Sequence, residues 1–152
     1  MRTTLLFLSL LLFPLTHAKA QAPSEPGDRL IGVWEPSNGK ARVKIEKIGA
    51  KYYGKIVWLR EPNDPATNAP KVDKNNPDEA LRTVPLRGYR LLKDFSYGGG
   101  EEWTEGTIYD PENGSTYSCV ITMKDANTLD IRGFIGVKAL GRTDVWKRLQ
   151  TK

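Results

Sequence analysis

Residues 41–59 read ARVKIEKIGAKYYGKIVWL, and this stretch decides the fold. Ala41, Val43 and Ile45 alternate with Arg42, Lys44 and Glu46, so one face is apolar and the other charged. A period of two is the geometry of a strand, whose successive side chains point to opposite faces. "IGAK" then supplies a turn, and "KYYGKIVWL" resumes as a second strand that aligns Tyr52, Ile56 and Trp58, with Gly54 at a bend or a close-packing position. The stretch predicts an antiparallel hairpin with one buried face.

Working outward, the same pattern recurs. "GYRLLKDF", "EEWTEGTIYD", "STYSCVITMK", "NTLDIRGFIG" and "GRTDVWKRL" all read as strands. "DPENG" (residues 110–114) and "KDAN" (124–127) join consecutive pairs; Pro111 sets the first turn and Gly114 can take positive φ there. With a first strand around "IGVWEP", the count reaches about eight, enough to close a small barrel. No internal repeat and no long amphipathic helical stretch interrupts this. The expected fold is all-β: one eight-stranded antiparallel up-and-down barrel over residues 29–150. Cys119 shares a face with Tyr117, Ile121 and Met123 and reads as a small core residue, not a nucleophile.

Residues 60–87 refuse the pattern. They hold Pro62, Pro65, Pro70, Pro77 and Pro85 without sustained alternation. Loops of this length serve as lids or binding loops, or as passive excursions. Within them "VDKNNPDEALR" (72–82) offers oxygen ligands at Asp73 and Asn75, yet Pro77 and Asp78 occupy positions where a calcium loop wants a ligand and a glycine. A short capped helix fits better: Asn76 as N-cap, Pro77 first, Asp78 at the positive end of the dipole, and Glu79 three residues after the cap. Asp73, Asn75, Arg82 and Arg87 then either cross-link the loop or face a ligand. Trp103 and Tyr109, on one strand, and Arg132 and Arg142, beside glycines late in the chain, complete the candidate ligand-binding set.

The chain opens MRTTLLFLSLLLFPLTHAKA, with a basic start, a short apolar run and a small-residue site at Ala18–Ala20. Residues 1–20 are expected to be a cleaved secretory signal, followed by a flexible leader over 21–28, which implies a periplasmic or secreted protein. Cleavage leaves 21 basic residues against 18 acids, a net charge of +3 that demands neither nucleic acid nor a membrane surface. It also removes the one histidine, His17, and with it Ser–His–Asp and Cys–His catalysis and the usual zinc and copper sites. No metal or cofactor is expected. "YGGGEEW" lacks the Gly-Lys-Ser/Thr of a phosphate loop. Glu101, Glu102 and Glu105 cluster in "EEWTE", but neighbours on a strand point apart, so solvated edge charge is the plainer reading.

"GVW" (Gly32–Trp34) and "GRTDVWKR" (Gly141–Arg148) stand at the two ends of the domain, where first and last strands of a closed barrel meet. Gly32, Trp34, Trp146 and Arg148 are the expected closure residues, a guanidinium stacking on an indole. A Gly-x-Trp first strand with a basic residue on the last resembles the lipocalin and fatty-acid-binding superfamily. The blocks "GVWEPSNGKARVKI", "YYGKIVWLREP", "DKNNPD", "GTIYDPENGSTYSC" and "LDIRGFIGVKALGRTDVWKR" resemble more closely the bacterial exported family catalogued as domain of unknown function 2147. That resemblance implies export and a barrel, and carries no established activity. The short link "PSNGK" and the long excursion after the third strand depart from ordinary lipocalins. Three functions stay open: a binding module for a small apolar or amphipathic molecule, an envelope interaction or stress protein with a protein partner and no internal ligand, and a carboxylate-based enzyme. A spanning membrane protein and a nucleic-acid binder are not expected.

Overall fold

The computed structural model describes residues 25–150. Eight strands follow in chain order: β1 (Gly32–Glu35), β2 (Ala41–Ile48), β3 (Lys51–Leu59), β4 (Arg90–Gly99), β5 (Glu102–Asp110), β6 (Ser115–Asp125), β7 (Thr128–Phe134) and β8 (Arg142–Arg148). Each pairs antiparallel with the next and β8 returns to β1, which closes the barrel. Short 3-10 turns at Pro26–Leu30, Glu79–Leu81 and Lys138–Leu140 are the helical elements among the described residues. The all-β, up-and-down barrel read from the alternation is the fold. No helix among the described residues is long and apolar enough to cross a membrane.

The opening hairpin departs from strict alternation at one place. Val43 pairs with Ile56 and Arg42 with Trp58, so Val57 is an extra residue on β3. One inserted residue turns every later side chain to the opposite face. Leu59 therefore points inward opposite Ala41, while Trp58, expected to share a face with Tyr52 and Ile56, lies outside under the Arg42 guanidinium, 4.3 Å from its ring centroid.

One end of the barrel is solid. Trp34, Tyr52, Phe95, Trp103, Ile121 and Leu129 are fully buried there. Phe95 lies so close to Gly106 that a Cβ at Gly106 would overlap its ring. The Pro26–Leu30 turn seats on this floor: Trp103 Nε1 donates to the Gly27 carbonyl (3.2 Å), Trp34 Nε1 to that of Leu30 (3.0 Å) and the Tyr52 hydroxyl to Asp28 Oδ1 (2.7 Å). That hydroxyl, with the Lys47 ammonium beside it, holds the Asp28 carboxyl below its ordinary range. The leader expected to be flexible through residue 28 is thus a plug from Pro26 onward, because its carbonyls satisfy two buried indoles. The signal segment and the start of the leader lie outside the described residues.

The seam is short. β1 and β8 share the pairs Trp34–Arg148 and Glu35–Lys147, with one further bond from the Leu149 amide to Val33 (2.9 Å). The Arg148 side chain adds what the ladder lacks. It donates to the carbonyls of Ile31, Arg29 and Ala126 at 2.8, 2.5 and 2.8 Å, and lies 4.1 Å from the Trp34 ring centroid. Gly32 (φ +153°) makes room, since a Cβ there would sit 2.4 Å from an Arg148 nitrogen. Burial lowers the Arg148 pKa from its ordinary value. Trp146 also faces inward on β8, paired with Leu129, and its side chain borders the open half.

Cys119 is buried on β6, and burial pushes its thiol up to about 12. Because only the thiolate attacks disulfides, the folded protein should give no reaction with Ellman's reagent at pH 8 and one equivalent once denatured. Rapid stoichiometric labelling of the folded protein would contradict this packing.

Candidate functional site

The other end is open. The β1–β2 link (residues 36–40), the β3–β4 excursion (60–89), the β5–β6 turn (111–114) and the β7–β8 segment (135–141) rim a depression of about 1670 Å³. That is larger than the roughly 300–1,000 Å³ of an enclosed small-molecule pocket, as befits a cup continuous with solvent. Ala41, Leu59 and Ile108 are its half-buried walls, and behind them Val43, Ile56, Leu91, Ile131 and Trp146 are nearly fully buried. The hollow exists because side chains shrink along the barrel: bulky aromatics occlude the floor, whereas Ala41 and Gly133 leave space above. The interior is therefore half filled and half cup.

Polar groups gather at the lip. Lys40 pairs with Glu112 at 2.6 Å and Lys71 with Glu61 at 3.1 Å, both exposed to solvent. Asp144 accepts from Trp146 Nε1 at 2.8 Å and fixes the indole against the wall. Tyr109 also lines the cup, with its hydroxyl turned away toward Asp73 (2.8 Å). Burial and that carboxylate raise the Tyr109 pKa, so the phenol stays a donor.

Asp73 is fully buried and organises the excursion. Besides Tyr109 it accepts from Asn76 Nδ2 (2.7 Å), which also reaches the Tyr89 hydroxyl (3.2 Å). Asn76 Oδ1 accepts from the Asp78 amide (2.9 Å), and the turn it precedes is a single 3-10 turn, Glu79–Leu81, capped by Asp78 through the Ala80 amide. The expected helix from Pro77 with Asn76 as its cap is corrected accordingly: the Asn76 side chain is drawn down to Asp73, and the cap passes two residues on. Glu79, expected to complete a capping box, instead pairs with Arg82 at 3.4 Å.

The remaining candidates divide. Asn75 Nδ2 donates to the carbonyls of Pro111 and Glu112 (3.0 and 2.9 Å) and ties the excursion to the β5–β6 hairpin. Arg82 Nε donates to the Asn76 carbonyl (2.8 Å). Asp73, Asn75 and Arg82 thus cross-link the loop. Arg132 uses three nitrogens on Lys138 O, Ala139 O and Thr143 Oγ1, which braces the β7–β8 segment. Trp103, expected near a ligand, is sealed in the floor beneath Gly27 because β5 starts at the closed end. Arg142 stands exposed on the rim. Arg87 is exposed and forms no ion pair among the described residues. Of the expected ligand set, then, Tyr109, Asn75 and Arg142 reach the cup. Glu101, Glu102 and Glu105 each face a separate cation (Arg29, Lys138 and Lys51), so no two of them form a catalytic pair.

The chain matches the family described as "Uncharacterized protein conserved in bacteria (DUF2147)" over residues 32–148, from the first strand to the Arg148 staple. It belongs to that family. Among solved structures, this DUF2147 barrel is similar to protein HP1028 of Helicobacter pylori, which is described as belonging to the lipocalin family. The TM-score is 0.69 at 23% identity, with 80% of this chain and 83% of that chain covered. The likeness is one of fold. No curated protein matches the chain. Ala41 was legible on the apolar face of β2, and the alternation of β7 carries the signal for Ile131, whereas Leu59 on β3 turns inward only through the extra residue Val57.

Proposed function

We propose that the protein binds a small apolar or amphipathic molecule in the upper half of its barrel. The observation that carries this is the cup itself, apolar on its walls, polar at its lip and open to solvent. An acyl or ring system would lie against Ala41, Leu59, Leu86 and Ile108, which keep accessible surface and where burying apolar area favours binding by about 25 cal/mol per Å². A polar end would remain among the rim charges. The signal-like residues 1–20 support a periplasmic or secreted setting, in which such a barrel would carry its molecule through water.

Titration with an environment-sensitive amphiphile, anilinonaphthalene sulfonate, tests this. Saturable binding at one site per chain is expected, with the Trp146 emission changing in step. Ala41→Trp, which adds an indole to the wall, should weaken it at least about tenfold by filling the volume a ligand needs. An absence of saturable binding, or equal binding to Ala41→Trp, would reject the cup as the site and leave a surface role for the protein.

A further inference from the structure

Every strand of the barrel is paired, yet β8 outruns β1. Their pairing stops at Glu35–Lys147, because Pro36 follows and the chain turns there, the Gly39 amide donating to the Pro36 carbonyl (2.9 Å). Successive residues of a strand send their main-chain groups to opposite sides. The Arg148 amide donates to Asn127 on the β7 side and the Leu149 amide to Val33 on the β1 side, both at 2.9 Å. The β7–β8 register is unbroken from Lys147 back to Arg142, so Val145 and Thr143 face the β1 side as Lys147 does. Their N–H and C=O groups point to where β1 has already ended, and no loop or side chain among the described residues supplies a partner. This free edge lies at the lip of the cup: Thr143 and Asp144 border the depression, as do Pro36 and Asn38 across the gap.

Donors and acceptors in the alternation of a strand edge are complementary to another extended backbone. We infer that the ligand of the cup is an N-acylated peptide, its acyl chain against the apolar walls and its first residues added to the edge of β8 at Thr143 and Val145. The acyl half rests on the cup reading, and the peptide half rests on the edge. Each half needs the other. Thr143 and Val145 offer two donors and two acceptors, each bond of small net worth in water, which is too little to hold a peptide without an anchor. A phosphate head carries acceptors only and would leave both carbonyls unmatched. A second copy of the barrel fits poorly. Two-fold pairing in which Thr143 meets Val145 of the copy sets Asp144 directly opposite its counterpart, and like charges so placed are destabilising.

Displacement of anilinonaphthalene sulfonate tests this with three uncharged competitors of one chain length, each below its micelle concentration. They are dodecanoyl ethanolamide, N-dodecanoyl trialanine amide, and the same acylated peptide with its backbone nitrogens methylated. The acylated peptide is expected to bind at least about tenfold more tightly than the ethanolamide, the margin of a few net main-chain hydrogen bonds. Methylation should erase that margin. Val145→Pro removes a donor from the protein side. The N–H it lacks is one that faces away from β7, so the β7–β8 ladder is untouched. This variant should keep its melting temperature and its affinity for anilinonaphthalene sulfonate while losing the preference for the peptide; should it fail to fold, the methylated competitor decides on the parent protein. An acylated peptide no tighter than the ethanolamide, or indifferent to methylation, would overturn the inference while binding of the dye leaves the cup standing. No saturable binding of dye or competitors would reject the cup and the inference together. A concentration-dependent dimer abolished by Val145→Pro would assign the edge to a second copy and count against the peptide.

Discussion

Trp34→Ala should destabilise the barrel by roughly 3–5 kcal/mol, the cost of removing a buried aromatic and leaving its volume empty. Trp34 has no exposed surface, and its loss strips more than packing. The Leu30 carbonyl loses its donor, and the Arg148 guanidinium loses the ring beneath it while remaining partly desolvated. Denaturant melts should show the midpoint falling with an unchanged slope, because the same surface is exposed on unfolding. Arg148→Lys should recover little of the guanidinium's role, since one ammonium cannot fan out to the carbonyls of Ile31, Arg29 and Ala126 while lying flat on an indole. A Trp34→Ala protein as stable as the parent would mean that the strand ladder alone holds the seam.

Asp73→Ala should cost roughly 2–4 kcal/mol, because two buried donors, the Tyr109 hydroxyl and Asn76 Nδ2, lose their acceptor together. The damage should concentrate in the excursion, whose side-chain hydrogen bonds to β5 and the β5–β6 turn run through this carboxylate and through Asn75. Hydrogen exchange should quicken across residues 60–87 while the strands stay protected. Asp73→Asn keeps one acceptor and should lose less. Millimolar calcium should leave the melting temperature unchanged, since the Asp73 oxygens already face Tyr109 and Asn76. Uniform loss of protection over the whole barrel would show that Asp73 supports the core as well as the loop.

The strands and their order were legible because alternation is local: Ala41, Val43 and Ile45 announce their shared face within five residues. Closure was legible at Gly32, Trp34 and Arg148 for a related reason, since a first and a last strand must meet in a barrel. What escaped depended on partners distant in the chain. The extra residue Val57 turns Trp58 outward, and nothing in "KIVWL" marks it, because a bulge is defined by the facing strand. Asn76 has the chemistry of a cap, but a buried acid three residues earlier, itself fixed by Tyr109 on β5, claims its amide. Pro26–Asp28 resembled a loose leader until Trp34, Tyr52 and Trp103 were seen to need its turn. The cup, likewise, is a property of side-chain volumes around a ring of strands, and no single strand contains it.

The shortness of the β1–β8 ladder has a consequence for how this protein fails. A closed barrel presents no unpaired strand to other molecules, and this one keeps that condition with two residue pairs, one further amide bond and one arginine side chain. Opening at that point frees two complementary edges simultaneously, and β1 of one molecule matches β8 of another as well as its own. Exchange of the first strand between copies follows from the same geometry that closes each copy. Loss of the arginine staple should therefore announce itself in concentrated solution as dimers and aggregates before it appears as unfolding in dilute solution.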